Sequence, residues 1–189
     1  MEIPVNFSST IVHLVHAQGL DLTMEALDSI APPPRLSGVP FDRIEGMLLG
    51  LAVGDALGNT SEGMNPGPRG NKYGVIRDYL PNRHIEWCRA GLPSDDTQMA
   101  FWTLEHLSKS GRIVPQDLAG IFATRQIFGI GATVSAFVKS FRADAPWYEA
   151  SQRSAGNGAL MRIAPVMLPH VGTPSMALWG RDIGRSDNA

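Results

Sequence analysis

Ser94-Asp95-Asp96-Thr97-Gln98-Met99 sets two adjacent carboxylates between hydroxyls, just ahead of residues with apolar helical spacing. A hard divalent cation such as Mg²⁺ asks for oxygen ligands, and Ser94, Asp95 and Asp96 offer three from one rigid element. The competing use is helix capping. Ser94 or Asp95 suits an N-cap, Gln98 follows Asp95 by three residues as in a capping box, and carboxylates favour a helix N-terminus. Capping needs one acidic side chain, however, and two neighbours repel unless a cation sits between them.

Gly46, Gly50, Gly54 and Gly58 recur every four residues and so share one face of a helix. Each costs about 1 kcal/mol against alanine in a helix interior. Close approach of another helix or access of a ligand to the backbone would compensate. Asp55 lies inside this apolar stretch, where a buried carboxylate needs a cation, a metal or several donors. Glu62 follows four residues after Gly58. Gly129-Ile130-Gly131-Ala132-Thr133 precedes a helical pattern; it reads as an anion cradle or as an ordinary turn. No strand leads into it and the spacing is loose, so a dinucleotide fingerprint is rejected. Gly156-Asn157-Gly158 reads as a tight turn before a further helix, on which Arg162 suits an ion pair better than a ligand clamp. His13, His16, His84, His106 and His170 show no metal-ligand spacing, and the four tryptophans suit the core.

The elements that must hold these residues are helices. Residues 41–57, 95–109, 115–127, 132–142 and 158–168 carry helical periodicity, with Asp42 a cap for the first, and strand signals are nearly absent. The fold class is therefore all-α around one core. Residues 59–93 read as a long irregular loop, with a short strand near His84–Cys88. Segments 8–18 and 22–31 read as two short helices, and Pro32-Pro33-Pro34 makes residues 1–40 an extension on a stiff linker.

Composition narrows the function classes. In 189 residues, 43% are hydrophobic and 18% charged, which fits one soluble domain with a substantial core. A net charge of −2 without a basic run gives no reason to expect nucleic acid or an anionic membrane as partner. Cys88 stands alone, so neither a disulfide framework nor a cysteine zinc site is expected. Without a signal-like N-terminus or a spanning segment, the expected location is the cytoplasm.

Taken jointly, Gly46–Glu62 (GMLLGLAVGDALGNTSE), Ser94–Met99, Gly129–Thr133 and Gly156–Pro165 (GNGALMRIAP) resemble the ADP-ribosylglycohydrolase family in order and spacing. The resemblance runs over residues 41–179. It implies a compact helical bundle and a centre of two Mg²⁺ or Mn²⁺ ions. The implied reaction hydrolyses the bond between ADP-ribose and an acceptor, so ADP-ribose or an ADP-ribosylated protein is the implied partner. Carried over by position, Ser94, Asp95 and Asp96 are metal ligands, and Glu62 with Asp96 serves catalysis. Gly129, Gly131 and Thr133 cradle phosphate, while Gly156, Asn157 and Gly158 line the ribose side. Asp55 matches an acidic position behind the ligands.

The chain departs from that pattern in one respect. Family members carry a second acidic cluster, Asp-x-Asp-Thr, and none follows Asp96 here. Residues 180–189 no longer look like the family, so a C-terminal truncation is expected. With half its ligands, such a site holds Mg²⁺ weakly, because that ion demands near-octahedral coordination. The chain alone is then weakly active or inactive; the alternative is a non-catalytic truncated paralogue, or a fragment, that binds ADP-ribose or a protein partner.

Overall fold

The computed structural model describes residues 41–82, 90–150, 154 and 156–168, and among these it is all-α, with no strand. In chain order the elements are α1 (Phe41–Gly58), a 3₁₀ turn (Asn59–Ser61), α2 (Pro66–Tyr73), α3 (Asp95–Ser110) and α4 (Pro115–Thr124). Then come α5 (Ala132–Arg142), α6 (Trp147–Ala150), a second 3₁₀ turn (Leu160–Arg162) and α7 (Ala164–Met167).

The middle of the fold is α3. Met99, Ala100, Thr103, His106 and Leu107 recur at helical spacing and are all buried. They pack against the second 3₁₀ turn and α7, with α1 and α4 on other sides. Met99, Leu107, Ile113, Leu118, Phe122 and Val166 form one apolar cluster. A second joins Ala119, Ala123, Phe137, Val138 and Ala150 across α4, α5 and α6. Each large side chain so buried contributes about 1.5–3 kcal/mol. The helix stops at Gly111, whose left-handed φ of 67° lets its N–H close on the Leu107 carbonyl at 2.8 Å. His106 Nε2 accepts the Val114 N–H at 3.0 Å, tying the α3–α4 connection. Burial holds this imidazole below its ordinary pKa, consistent with a neutral acceptor ring.

Four local expectations change. The glycine stripe of α1 faces open space among the described residues: a Cβ built at Gly46, Gly50, Gly54 or Gly58 meets nothing within 4 Å. Leu49 and Val53 beside it are 56% and 43% exposed. Asp42 lies inside the first turn of α1, favourable to the dipole but not its cap. The loop read over 59–93 contains α2, hidden in the sequence because Gly67 and Gly70 depress helix propensity; Pro66 at its first turn is the signal. The helix read over 158–168 is a 3₁₀ turn followed by α7. Pro165 has no N–H to continue the ladder and restarts the helix in its own first turn. The segments read at 8–18, 22–31 and His84–Cys88 lie outside the described residues.

Candidate active site built on the first turn of α3

The acidic motif opens α3 as its composition suggests, but the capping is done by another helix. Ser94 precedes the helix in extended conformation, and its side chain makes no cap bond. Asp55, near the end of α1, takes that role. Its Oδ2 accepts the Ser94 N–H at 2.7 Å, the Thr97 N–H at 3.1 Å and the Thr97 hydroxyl at 2.6 Å. Its Oδ1 accepts the Ser94 hydroxyl at 2.7 Å and Asn59 Nδ2 at 3.2 Å. These are the several donors that a carboxylate in an apolar helix requires. Each such bond to a charged acceptor contributes about 1.5–3 kcal/mol.

This arrangement frees Asp96. With the cap supplied from α1, Asp96 is not consumed in closing the helix start, while Asp95 is also held there by its own backbone and by Ser94. A carboxylate only accepts, so the Ser94 hydroxyl spends its proton on Asp55 and keeps lone pairs for another partner. Asn59 reinforces the junction by donating to the Leu92 carbonyl at 2.8 Å, and Thr60 donates to that of Pro81 at 3.0 Å. These bonds fix the end of α1 against the segment entering α3. Glu62 then emerges from the 3₁₀ turn, its N–H on the Asn59 carbonyl at 3.2 Å.

A cavity of about 470 Å³ opens over this turn. Its walls include Glu62, Asp95 and Asp96, then Gly129, Gly131 and Thr133, then Gly156, Asn157 and Gly158. Nine of the residues singled out in the sequence thus share one concavity; Ser94 and Asp55 lie behind it. Gly129 turns the loop with a φ of 73°, and Gly131 caps α5, whose N-terminus opens toward the cavity. Thr133 Oγ1 donates to Ser154 Oγ at 3.0 Å, and the Gly156 N–H reaches the same oxygen at 3.0 Å, so one serine joins the two glycine loops.

Sequence reasoning missed three supports. Thr97 makes the shortest bond to Asp55. Gln98 does not complete a capping box. Its Nε2 donates to the Gln126 carbonyl at 3.2 Å and its Oε1 accepts the Phe128 N–H at 2.8 Å, fastening the glycine loop to the acidic helix. Arg162 is fully buried, with its guanidinium 4.9 Å from the Phe122 ring and Nη1 3.3 Å from Met99 Sδ. Burial lowers its pKa to about 9, and the charge of Asp95 acts in the opposite sense. All three residues were visible in the sequence, but the partners of Gln98 and Arg162 become visible only when the chain is folded.

The electrostatics are those of crowded anions. Asp96 is raised to about 6 by burial and by the charges of Asp55, Asp95 and Glu62. Asp95 is raised chiefly by burial, with Glu62 and Asp55 adding to it and hydrogen bonding partly offsetting it. A divalent cation would relieve this repulsion, and the oxygen donors suit a hard ion. Among the described residues no three His, Cys, Asp or Glu side chains converge to hold one ion. Asp95 and Asp96 present carboxylates to the cavity that could hold such an ion, while Ser94 is buried behind them.

The family model for ADP-ribosylglycohydrolases matches residues 37–188. The chain belongs to the ADP-ribosylglycohydrolase family. Within that family it is 33% identical over 142 residues to the ADP-ribosyl-dinitrogen reductase glycohydrolase of Rhodospirillum rubrum, covering 71% of this chain and 47% of that protein. It is 30% identical over 153 residues to the ADP-ribosylarginine hydrolase Tri1 of Pseudomonas putida, covering 74% and 39% respectively. A solved ADP-ribosylglycohydrolase-related protein complex superimposes with a TM-score of 0.63 at 30% identity, over 78% of this chain and 50% of that one. The chain thus spans about half the length of the relatives it matches. No described helix is long and apolar enough to cross a membrane.

Proposed function

We propose that this chain carries one wall of an ADP-ribosyl hydrolase cleft, binding ADP-ribose or an ADP-ribosylated protein in the cytoplasm. The observation that supports this most is the convergence of Glu62, Asp95 and Asp96 with both glycine loops on one cavity. The Gly129–Gly131 amides and the start of α5 suit a pyrophosphate, because backbone N–H groups and the helix dipole favour negative charge there. Gly156, Asn157 and Gly158 would line the ribose side.

Ser94, Asp95 and Asp96 would hold Mg²⁺ or Mn²⁺, which supplies a Lewis acid for the ribose hydroxyls and acidifies a water. Breaking the anomeric bond builds positive charge on the ribose ring, and the carboxylates of the cavity stabilise it. Glu62 or Asp96 accepts the proton of the attacking water.

No Asp-x-Asp-Thr cluster follows Asp96 in this sequence, which supports a second statement: alone, the chain binds substrate but turns it over poorly. Incubation of the purified chain with an ADP-ribosylated peptide and Mn²⁺ tests this. Release of ADP-ribose is expected at least 100-fold slower than with a full-length member. Turnover within a few fold of that member would contradict it and show that these residues suffice.

A further inference from the structure

A second cavity, of about 350 Å³, lies on the other side of the glycine loop, and Ile130 lines both. Its charge is opposite. Arg125, Lys139 and Arg142 stand around it with Ser135 and Gln126, over Phe122, Ile127, Ile130 and Val138. Three cations around one small cavity repel each other in a chain whose net charge is −2, so their gathering needs a reason.

Two of the three are set in place by partners elsewhere. Arg142 donates Nε to the Ala123 carbonyl at 2.7 Å, a bond that fixes its guanidinium plane, and among the described residues it makes no ion pair. Arg125 donates Nη1 to Glu105 at 2.8 Å and lies 5.2 Å from the Trp102 ring. Glu105 is itself shared with Lys109 at 2.6 Å. Lys139 has no ion pair among the described residues. Among the described residues Glu105 is thus the one carboxylate paired with any of these three cations. Guanidinium groups fixed before a ligand arrives lose little freedom on binding it, and they suit the geometry of phosphate oxygens.

We propose that this cavity is a second anion site, for a phosphate ester whose compact apolar body rests on Phe122, Ile127, Ile130 and Val138. Arg142, Lys139 and the Ser135 hydroxyl hold the phosphate. The site is distinct from the acidic cavity: none of its cations lines that one, and it does not depend on the hydrolase reading. It touches the same loop, however. An occupant against Ile130 presses on the segment that Gln98 fastens to α3.

Titration of the ¹⁵N-labelled full chain with phenyl phosphate, followed by amide shifts, tests the proposal. Shifts at Gln126, Ile127, Ser135 and Lys139 are expected. Lys139→Gln, an exposed change that leaves the core intact, should weaken the binding read there about fivefold, and Arg142→Gln by at least tenfold. Inorganic phosphate should bind more weakly than phenyl phosphate, and sodium chloride at matched ionic strength should reproduce none of the shifts. Shifts confined to Gly129–Thr133 and Gly156–Gly158, equal responses to chloride, or unchanged affinity in both variants would overturn the proposal. Should Arg142→Gln fail to fold, Lys139→Gln alone decides.

Discussion

Asp55→Ala should lower the stability of the chain by about 2–4 kcal/mol, although Asp55 contributes no side chain to the cavity wall. The substitution removes the acceptor of five bonds and leaves the Ser94 and Thr97 N–H groups without a cap. Asp55→Asn should be nearly as damaging. Both carboxylate oxygens accept from donors, so an amide NH₂ on either side faces another donor. The check is a urea melt of each variant against the parent chain. A loss below about 0.5 kcal/mol would mean that water or Ser94 itself replaces the cap, within the range of a surface change. Because Ser94, Asp95 and Asp96 all hang on this turn, the same variants should also lose ADP-ribose binding.

Asp96→Asn should act the other way on stability while weakening cation binding. The folded-state value of about 6 for Asp96 lies above the ordinary value of 3.8. Below the ordinary value both folded and unfolded chains carry the proton, and nothing is lost. As pH rises from about 4 through about 6, the unfolded chain ionises first, and the folded chain is left holding an unfavourable charge. Stability therefore falls across that window and is flat in this respect above it. Asparagine removes the charge, so the variant should be more stable than the parent at pH 7.5 by on the order of 1 kcal/mol, and equal to it near pH 3.5. Divalent cation binding should fall at least tenfold at the same time. Paired urea melts at several pH values would show parallel curves if Asp96 were an ordinary solvated cap.

Much of this was legible before folding. Apolar spacing placed α3 and α5, because both bury a single face, and the order of Gly, Asp and Asn motifs carried the family. Asp55 was legible in kind, as a carboxylate in an apolar stretch that needs donors, but not in partner. Four of its five bonds come from Ser94 and Thr97, 39 and 42 residues away. The glycine stripe misled for a physical reason. Glycines every four residues license a close helix, but the licence is used only if a partner is present, and among the described residues none approaches. The hidden helix α2 has the same lesson in reverse: weak propensity from Gly67 and Gly70 concealed a segment that Pro66 starts and Gly74 ends. Gln98 and the buried Arg162 serve contacts between segments far apart in sequence, which periodicity cannot report.

The most direct test is calorimetry of ADP-ribose binding to the purified chain, with Mn²⁺ and then with a chelator, on the parent and on Asp95→Asn with Asp96→Asn. The expected result is measurable binding in Mn²⁺ that weakens at least tenfold on chelation or in the double variant. Equal affinity under all four conditions, or no binding under any, would contradict the assignment of Asp95 and Asp96 to a cation in this cleft.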